Sequence, residues 1–289
     1  MNYLNIEDVI LSHDRRGISS LRSYLSPAYC NEAARFILDK TGTKNMPIVI
    51  TTGFFILKAK SPETDGPPGA VALGKALNKL GLDVFYVTDR YATMLLTIDD
   101  INYDRVIEFP LTDHKKSQDL ARHLLSELKP SLLITIERCG LSNGQRYLNM
   151  AGKDISRNTA KIDYLFSDHE ATIGIGDGGN EIGMGNLATQ IKEQDKLPDE
   201  PSLTQVTKLV IASVSNWGAY GILTALSQLV NQNLVPSVEW EKEIIEEIVM
   251  RGAVDGVTGE RKCAVDGFNL EQNAWALTQL TLLLRKLVT

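Results

Sequence analysis

The sequence is poor in the residues that mark several common classes of protein. Its 289 residues include three cysteines and four histidines. The cysteines, Cys30, Cys139 and Cys263, form no CxxC pair and no even disulfide framework, which fits a reducing compartment. The histidines lack the spacing of a metal motif such as HExxH. These absences exclude a disulfide-rich secreted scaffold and argue against a histidine-based metal centre.

Charge and hydropathy exclude two further classes. The formal net charge is -6, so the chain lacks the basic excess that nucleic-acid binding needs. No apolar run approaches the roughly 20 residues that span a bilayer. The first eight residues have neither the basic start nor the apolar core of a signal peptide. We therefore expect a cytoplasmic protein that acts on a small molecule, with no nucleic-acid partner and no membrane association.

Two catalytic signatures are also missing from the sequence. It contains no GxSxG elbow, which argues against a serine hydrolase of that kind. It contains no GxxxxGK[ST] segment, which excludes a P-loop nucleotidase.

Apolar runs alternate with helical patterns along most of the chain. The runs that predict strands are 47–56, 83–88, 105–109, 131–136, 171–175 and 208–214. The helical patterns between them include 70–80 and 158–166. Strands that alternate with helices of about 10–15 residues predict βαβ units. We therefore expect an α/β fold: an open, mainly parallel sheet with helices on both faces, in a Rossmann-like three-layer arrangement. Residues 1–289 are predicted to form a single domain, with a helical segment at about 1–42 and C-terminal helices at about 237–289.

The most unusual stretch is rich in glycine. Six glycines lie between Gly174 and Gly185. They indicate either turns that need positive φ or a loop whose N–H groups approach an anion. Residues 174–179 have the spacing GxGxxG, but a dinucleotide fingerprint requires a first βαβ unit and a later acidic residue. This stretch follows several earlier strands, so we expect a small-molecule site without a nucleotide cofactor.

Polar residues collect where the predicted strands end. The carboxyl ends of parallel strands meet at one edge of a sheet, and ligands bind in the crevice beyond that edge. Taken singly, Asp89 or Asp177 could be a helix N-cap. Together these residues predict a functional site, formed by Thr52, Gly53, Glu63, Asp65, Asp89, Glu137, Arg138, Asp177, Gly178, Gly179, Asn180, Glu181 and Asn216.

These residue types suggest particular chemistry. Arg138 suits bidentate capture of a substrate carboxylate, with a structural ion pair as the alternative. Neighbouring acids can be driven to different pKa values, so that one serves as base and another as acid. Alternatively they bind Mg²⁺ or Mn²⁺ through oxygen ligands, with Asp177 as the candidate metal ligand. The acidic segment 255–267 could cover the crevice as a lid or remain a solvated loop.

Two other residues leave alternatives open. Cys139, next to Arg138, is either a nucleophile with a lowered pKa or a buried structural residue. Trp217 either forms the wall of a pocket or belongs to the core.

Seven segments of the chain form long and specific motifs. They are Thr51–Phe54, Glu63–Gly69, Glu137–Gly140, Gly152–Ser156, Gly174–Gly185, Ser215–Gly221 and Asp255–Gly259. Together they resemble the D-glutamate cyclase family, and more closely its C-terminal domain. The likeness extends from about Tyr24 to Leu287. The chain length leaves no room for the further N-terminal domain of longer relatives, so we expect a protein without it.

The resemblance implies a hydro-lyase that converts D-glutamate to 5-oxo-D-proline and water. Under this hypothesis Arg138 and the N–H groups of Gly178 and Gly179 hold carboxylates. Asp65 or Glu181 is the base, and Asp177 is the acid or a metal ligand. The orienting amides are Asn180 and Asn216.

Two other functions use the same residues. One is a non-catalytic sensor or binding protein for an acidic metabolite or nucleotide. The other is a hydro-lyase or hydrolase that acts on another amino-acid derivative. A homo-oligomer is compatible with all three.

Overall fold

The computed structural model describes residues 5–42 and 46–285. Its centre is a six-stranded sheet in which every neighbouring pair of strands is parallel. The strands are β1 (Ile48–Thr52), β2 (Val84–Thr88), β3 (Val106–Glu108), β4 (Leu132–Ile136), β5 (Thr172–Gly176) and β6 (Lys208–Ile211). Their order across the sheet is β3-β2-β1-β4-β5-β6, the doubly wound order. The predicted open α/β sheet is confirmed.

The direction of winding reverses between β1 and β4. These two central strands are neighbours, and Thr52 at the end of β1 is paired with Ile136 at the end of β4. Both strands are buried at every position, as expected for strands covered on both faces. A doubly wound sheet binds its ligands at this reversal. The fold therefore directs attention to the crevice beyond Thr52 and Ile136.

Helices and short turns connect and flank the strands. The helices are α1 (Ile6–Ile10), α2 (Tyr29–Thr41), α3 (Pro67–Lys79), α4 (Thr93–Leu96), α5 (His114–Leu128), α6 (Asp163–Ser167), α7 (Ala188–Ile191), α8 (Ser215–Val230), α9 (Val238–Met250) and α10 (Leu270–Arg285). The 3₁₀ turns are Ile18–Tyr24, Tyr103–Arg105, Asn143–Gln145, Ser156–Asn158 and Met184–Leu187. Short antiparallel pairs join Phe55–Ile56 to Ser61–Pro62, Leu141–Ser142 to Arg146–Tyr147, and Ala264–Val265 to Phe268–Asn269.

The helices form a layer on each face of the sheet. Helix α8 packs against α1, α2, α3 and α10, and α5 packs against α6. The crossovers β1–α3–β2 and β3–α5–β4 run in opposite directions across the sheet, so right-handed connections place α3 and α5 on opposite faces. Trp217 of α8 is in the core, where its indole N–H donates to Asn273 Oδ1 at 3.0 Å. The core alternative for Trp217 is therefore correct.

Two predicted boundaries differ from the observed ones near β1. The apolar run 47–56 is broken at Gly53, whose φ of 105° ends the strand. A Cβ atom at Gly53 would lie 2.6 Å from the Ala92 Cβ, so the close approach also requires glycine. Helix α3 begins at Pro67, whereas the sequence pattern begins at Ala70, because proline fits the first turn of a helix.

The helix predicted over 158–166 is wrong in its first half. Thr159 is extended, and α6 begins only at Asp163. The Ala160 carbonyl accepts a hydrogen bond from the Arg138 side chain, a tertiary contact that replaces a helical one. The predicted helical positions at residues 1–4 and 286–289 lie outside the described residues, and the single-domain organisation stays a prediction. Over the described ranges, no helix is long and apolar enough to cross a membrane.

Candidate active site

A cavity of about 380 Å³ opens beyond the ends of β1, β4 and β5. Its volume lies in the range of roughly 300–1,000 Å³ that is usual for small-molecule sites. The polar part of its lining comprises Arg16, Lys58, Glu63, Glu137, Asn149, Asp177, Asn180 and Glu181. The apolar part includes Phe54, Phe55, Ile56, Leu57, Met150 and Val257.

Six carboxyl groups crowd together at this place. They belong to Glu63, Asp65, Glu137, Asp177, Glu181 and Asp266, and none of these residues is more than 6% exposed. Two groups of three have carboxylate oxygens within 4.8 Å of one another. One comprises Asp65, Asp177 and Asp266, and the other comprises Glu137, Asp177 and Glu181. Buried like charges at this spacing cannot all be ionised, so the cluster must hold protons or a cation.

The pKa values in the cluster reflect this crowding. Burial, together with the negative charge of its neighbours, raises the pKa of Glu63 and of Glu137 well above the ordinary value. Burial also raises the pKa of Asp177 well above its usual range, although Arg16 opposes the effect. The pKa of Asp65 rises to about 7 because of burial and the nearby charge of Asp266. Protons are therefore bound to the cluster at neutral pH.

Arg16 places a guanidinium among these acids. Its Nη1 lies 2.5 Å from Asp177 Oδ2, and its two terminal nitrogens each donate to Asp266 at 2.7 Å. Burial favours the neutral form of Asp266, but Arg16 outweighs it and holds the pKa of Asp266 below its ordinary value. The Asp14 carboxylate accepts the N–H groups of Arg16 and Gly17, which shapes the turn that presents Arg16.

Arg16 is not among the residues that the sequence predicts for the site. It lies in the segment 1–42, which is predicted to be helical, but the residues Asp14-Arg-Arg-Gly17 form a turn. Aspartate three residues before a glycine is a turn signal. That signal could have located the turn, although not its contact with Asp177.

Asp65 and Asn216 cap each other's helices. The Asp65 carboxylate accepts the N–H groups of Ser215 at 2.8 Å and of Asn216 at 2.9 Å, at the N-terminus of α8. The Asn216 Oδ1 accepts the N–H groups of Gly66 at 3.0 Å and of Gly69 at 2.8 Å, at the N-terminus of α3. Both side chains therefore hold the first turns of α3 and α8 together beneath the cavity.

The glycine-rich loop binds an anion that belongs to the chain itself. The N–H groups of Gly178 and Gly179 donate to the two carboxylate oxygens of Glu181 at 2.7 and 2.8 Å. This arrangement favours a role in holding Glu181 over the predicted role in holding a substrate carboxylate. Asn180 is buried and donates through Nδ2 to the Leu148 carbonyl, which leaves its Oδ1 without a hydrogen bond at the cavity wall.

Arg138 lies below the cavity and is engaged in structural contacts. Its Nη2 forms an ion pair with Asp89 at 2.7 Å, and both side chains are almost completely buried. Its terminal nitrogens also donate to the carbonyls of Gly53 at 2.7 Å and Ala160 at 2.8 Å. The Thr52 carbonyl accepts from the Thr88 hydroxyl nearby. The geometry favours the structural ion pair for Arg138 over the capture of a substrate carboxylate.

The acidic segment 255–267 folds onto the crevice. Its flank at Val254 exchanges backbone hydrogen bonds with Pro62 and Thr64, on the loop that carries Glu63 and Asp65. Asp255 fixes the fold of the segment by accepting the N–H groups of Thr258 at 2.9 Å and Gly267 at 2.6 Å. As a result the Asp266 carboxyl group lies in the acid cluster, and Val257 lines the cavity.

Cys139 is a buried structural residue in this arrangement. Its thiol donates to the Leu148 carbonyl, and burial raises its pKa well above the ordinary value. A raised pKa disfavours the thiolate that a nucleophile requires.

Comparison with known proteins agrees with the motifs. A family model described as "D-glutamate cyclase-like, C-terminal" matches residues 6–281. The chain is 30% identical over 262 residues to a Homo sapiens protein named "D-glutamate cyclase, mitochondrial". The match covers 76% of this chain and 42% of the relative, so the chain spans less than half the length of that protein. The mitochondrial location is that of the human protein, and the cytoplasmic location of this chain stays a prediction. Because the family match extends over nearly all of the described sheet and crevice, the chain belongs to the D-glutamate cyclase-like, C-terminal family.

Proposed function

We propose that this chain converts D-glutamate to 5-oxo-D-proline and water. The observation that carries the proposal is the pair of carboxyl groups of Glu137 and Glu181, which line one cavity and differ in what they bind. The family membership and the name of the human relative support the same reaction. The chain covers 42% of the length of that relative.

The proton balance of the reaction defines what the site must do. The α-ammonium group of the substrate loses two protons as its nitrogen bonds to the γ-carboxyl carbon. The departing γ-oxygen gains two protons and leaves as water. No proton is gained or lost overall, so the site needs a base and an acid close together to carry protons from nitrogen to oxygen.

Glu137 is suited to be the acid in this scheme. Burial and the negative charges of Glu181 and Glu63 raise its pKa well above the ordinary value, which favours the protonated form that an acid requires. The Ser215 hydroxyl donates to Glu137 Oε2 at 2.7 Å, which leaves the other oxygen to hold that proton.

Glu181 is suited to be the base. Its ionised form accepts two backbone N–H groups, from Gly178 and Gly179, and such bonds favour the carboxylate. Burial nevertheless raises its pKa, which brings its basicity closer to that of an amine. The other predicted base, Asp65, is occupied at the N-terminus of α8.

Positioning supplies the remaining acceleration. Holding the amine and the γ-carboxyl carbon in contact makes ring closure an intramolecular event with a pre-arranged geometry. The free Oδ1 of Asn180 can accept a hydrogen bond from the substrate ammonium. The amide of Asn216 acts indirectly, because it caps α3.

The residues also fit a divalent cation. All donors in the two carboxylate groups are oxygens, which Mg²⁺ and Mn²⁺ prefer, and Asp177 belongs to both groups. Arg16 supplies positive charge to two acids of the first group, Asp177 and Asp266, but to only one acid of the second group, so Glu137, Asp177 and Glu181 are the better ligand set. With a cation bound there, Glu137 and Glu181 would be ionised ligands in place of acid and base. A cation at this place would polarise the γ-carboxyl oxygen.

The test is a product assay. The purified chain is incubated with D-glutamate or L-glutamate, with and without Mn²⁺ or Mg²⁺, and 5-oxoproline is measured by chromatography. We expect product from the D-isomer only. Glu137→Gln and Glu181→Gln should each lower kcat by roughly 10²-fold or more. Glu241→Gln is the matched control, because Glu241 is an equally buried acid on α9, outside the cavity.

Two results would overturn the proposal. Absence of product from folded protein under every condition would favour the non-catalytic sensor of an acidic metabolite. Full activity in both glutamine variants would remove Glu137 and Glu181 from the chemistry.

A further inference from the structure

Arg16 lines the cavity, and two N–H groups of its guanidinium have no hydrogen-bond partner among the described residues. A guanidinium carries five N–H bonds in a rigid fork. Nη1 donates one hydrogen to Asp266 and lies 2.5 Å from Asp177 Oδ2, and Nη2 donates one hydrogen to Asp266. The second Nη2 hydrogen and the Nε hydrogen make no hydrogen bond to any described residue. The side chain is 21% exposed and lines the cavity. Arg16 is therefore both held in place and incompletely satisfied.

We propose that these spare donors bind the α-carboxylate of the substrate, and that Arg16 thereby distinguishes an α-amino acid from an amine that lacks this group. The proposal rests on the proposed function for the identity of the substrate. Two parallel N–H donors match the geometry of a carboxylate, which makes arginine the usual residue for such recognition.

The chemistry of ring closure identifies which substrate carboxylate meets Arg16. The γ-carboxyl group must lose its negative charge to become an electrophile, and a guanidinium would stabilise that charge. The α-carboxylate keeps its charge from substrate to product. A cation on the α-carboxylate therefore binds substrate and transition state alike, so its loss should raise KM more than it lowers kcat.

Two other positively charged side chains near the site are less suitable for binding the α-carboxylate. Arg138 is buried, and its terminal nitrogens already bind Asp89 and two backbone carbonyls. Lys58 lines the outer part of the cavity, but it is exposed and donates to the Thr258 carbonyl at 2.7 Å.

The neighbouring residue Arg15 provides a matched control. It belongs to the same turn, and its guanidinium lies 3.7 Å from the centre of the Phe268 ring. It touches Asp266 only through the backbone carbonyl, at 3.4 Å. Substitution of Arg15 therefore disturbs the same turn without removing a donor from the cavity.

The first experiment removes the contact between Arg16 and the α-carboxylate in two ways, by substituting Arg16 and by using a substrate that lacks the α-carboxylate. 4-Aminobutyrate has the amine and the reacting carboxyl group of glutamate but no α-carboxylate, and its ring closure gives 2-pyrrolidinone. Arg16→Met also alters the charge around Asp177, and that effect falls on both substrates equally. The double cycle isolates the contact. We expect the loss in kcat/KM to be roughly 30-fold or more greater for D-glutamate than for 4-aminobutyrate. In Arg15→Met the loss in kcat/KM should be equal for D-glutamate and 4-aminobutyrate. Equal losses for the two substrates in Arg16→Met would overturn the proposal.

The second experiment measures binding without turnover. D-2-Aminobutyrate keeps the α-carboxylate and the amine but has no γ-carboxyl group to react. Calorimetric titration should show at least tenfold weaker binding to Arg16→Lys, which keeps the charge and loses the fork, than to wild type or Arg15→Lys. Equal affinities, or no binding to wild type, would contradict the role of Arg16. If binding depends on Arg16 but no 5-oxoproline forms, the cyclase proposal fails and this one stands.

Discussion

The buried acids should make the folded chain less stable as the pH rises. Asp65 shows the size of the effect, because its pKa rises from the ordinary 3.8 to about 7. Between these values the folded state binds the proton that the unfolded state has released, so stability falls with pH and levels off above about 7. At about 1.4 kcal/mol per pH unit, a difference of about 3 units amounts to about 4 kcal/mol. Sharing of protons with Glu63 and Asp266 makes this an upper limit.

The substitution Asp65→Asn tests this reasoning. The amide cannot ionise, but it has one acceptor oxygen for the N–H groups of Ser215 and Asn216, which the carboxylate binds with both oxygens. At pH 4 to 5 the variant should be less stable than wild type by about 1–3 kcal/mol, the cost of an unsatisfied donor. As the pH rises to 7, both proteins lose stability through the other buried acids, but only wild type also loses the part due to Asp65, so the gap should close or reverse.

Urea unfolding at a series of pH values measures the gap directly. Glu241→Gln is the control, because the pKa of Glu241 rises from 4.5 to about 8 through burial. The difference in stability between Glu241→Gln and wild type should therefore keep changing with pH up to about pH 8. A difference between Asp65→Asn and wild type that stays constant from pH 4 to 8 would refute the reasoning.

Three further predictions concern packing and cation binding. A Cβ at Gly74 would overlap the Tyr86 hydroxyl, so Gly74→Ala should lower stability by about 1–3 kcal/mol in thermal unfolding. Adding Tyr86→Phe should restore much of that loss, and no recovery would contradict the stated cause. Arg138→Met leaves Asp89 buried without its partner and should cost about 3–5 kcal/mol in urea unfolding, whereas Arg138→Met with Asp89→Asn should cost less. Binding of Mn²⁺ should release protons and tighten as pH rises, because it displaces protons from carboxyl groups of raised pKa. Calorimetry in two buffers of different ionisation enthalpy measures the release, and equal heats would argue against it.

Local patterns were sufficient to predict most of the sheet. Each of the six predicted strands overlaps an observed one, because a strand buried on both faces has a continuous apolar sequence. Local patterns do not predict the order of the strands in the sheet, since that order depends on contacts between distant segments. The prediction of a helix over 158–166 was wrong for the same reason, because the local pattern does not indicate the contact between Arg138 and the Ala160 carbonyl.

The position of the site was easier to predict than the partner of each side chain. Parallel strands bring their carboxyl ends together, so the acids that follow β1, β4 and β5 were expected to meet, and they do. The partners of Glu181, Asp65 and Arg138 depend on angles and distances that residue types do not specify. Arg16 was missed because it precedes Asp177 by more than 150 residues and lies in an ordinary polar turn.

The contact between Arg16 and Asp266 has a consequence for biosynthesis. The two residues are 250 positions apart, so at roughly 5–20 residues per second the ribosome releases Arg16 about 10–50 seconds before Asp266. During that interval the segment that closes the crevice does not yet exist, and water can reach the acids that follow β1, β4 and β5. The crevice is therefore covered only after all six strands of the sheet have been synthesised. A chain that stops before residue 255 would contain the whole sheet and still lack the segment that covers the crevice.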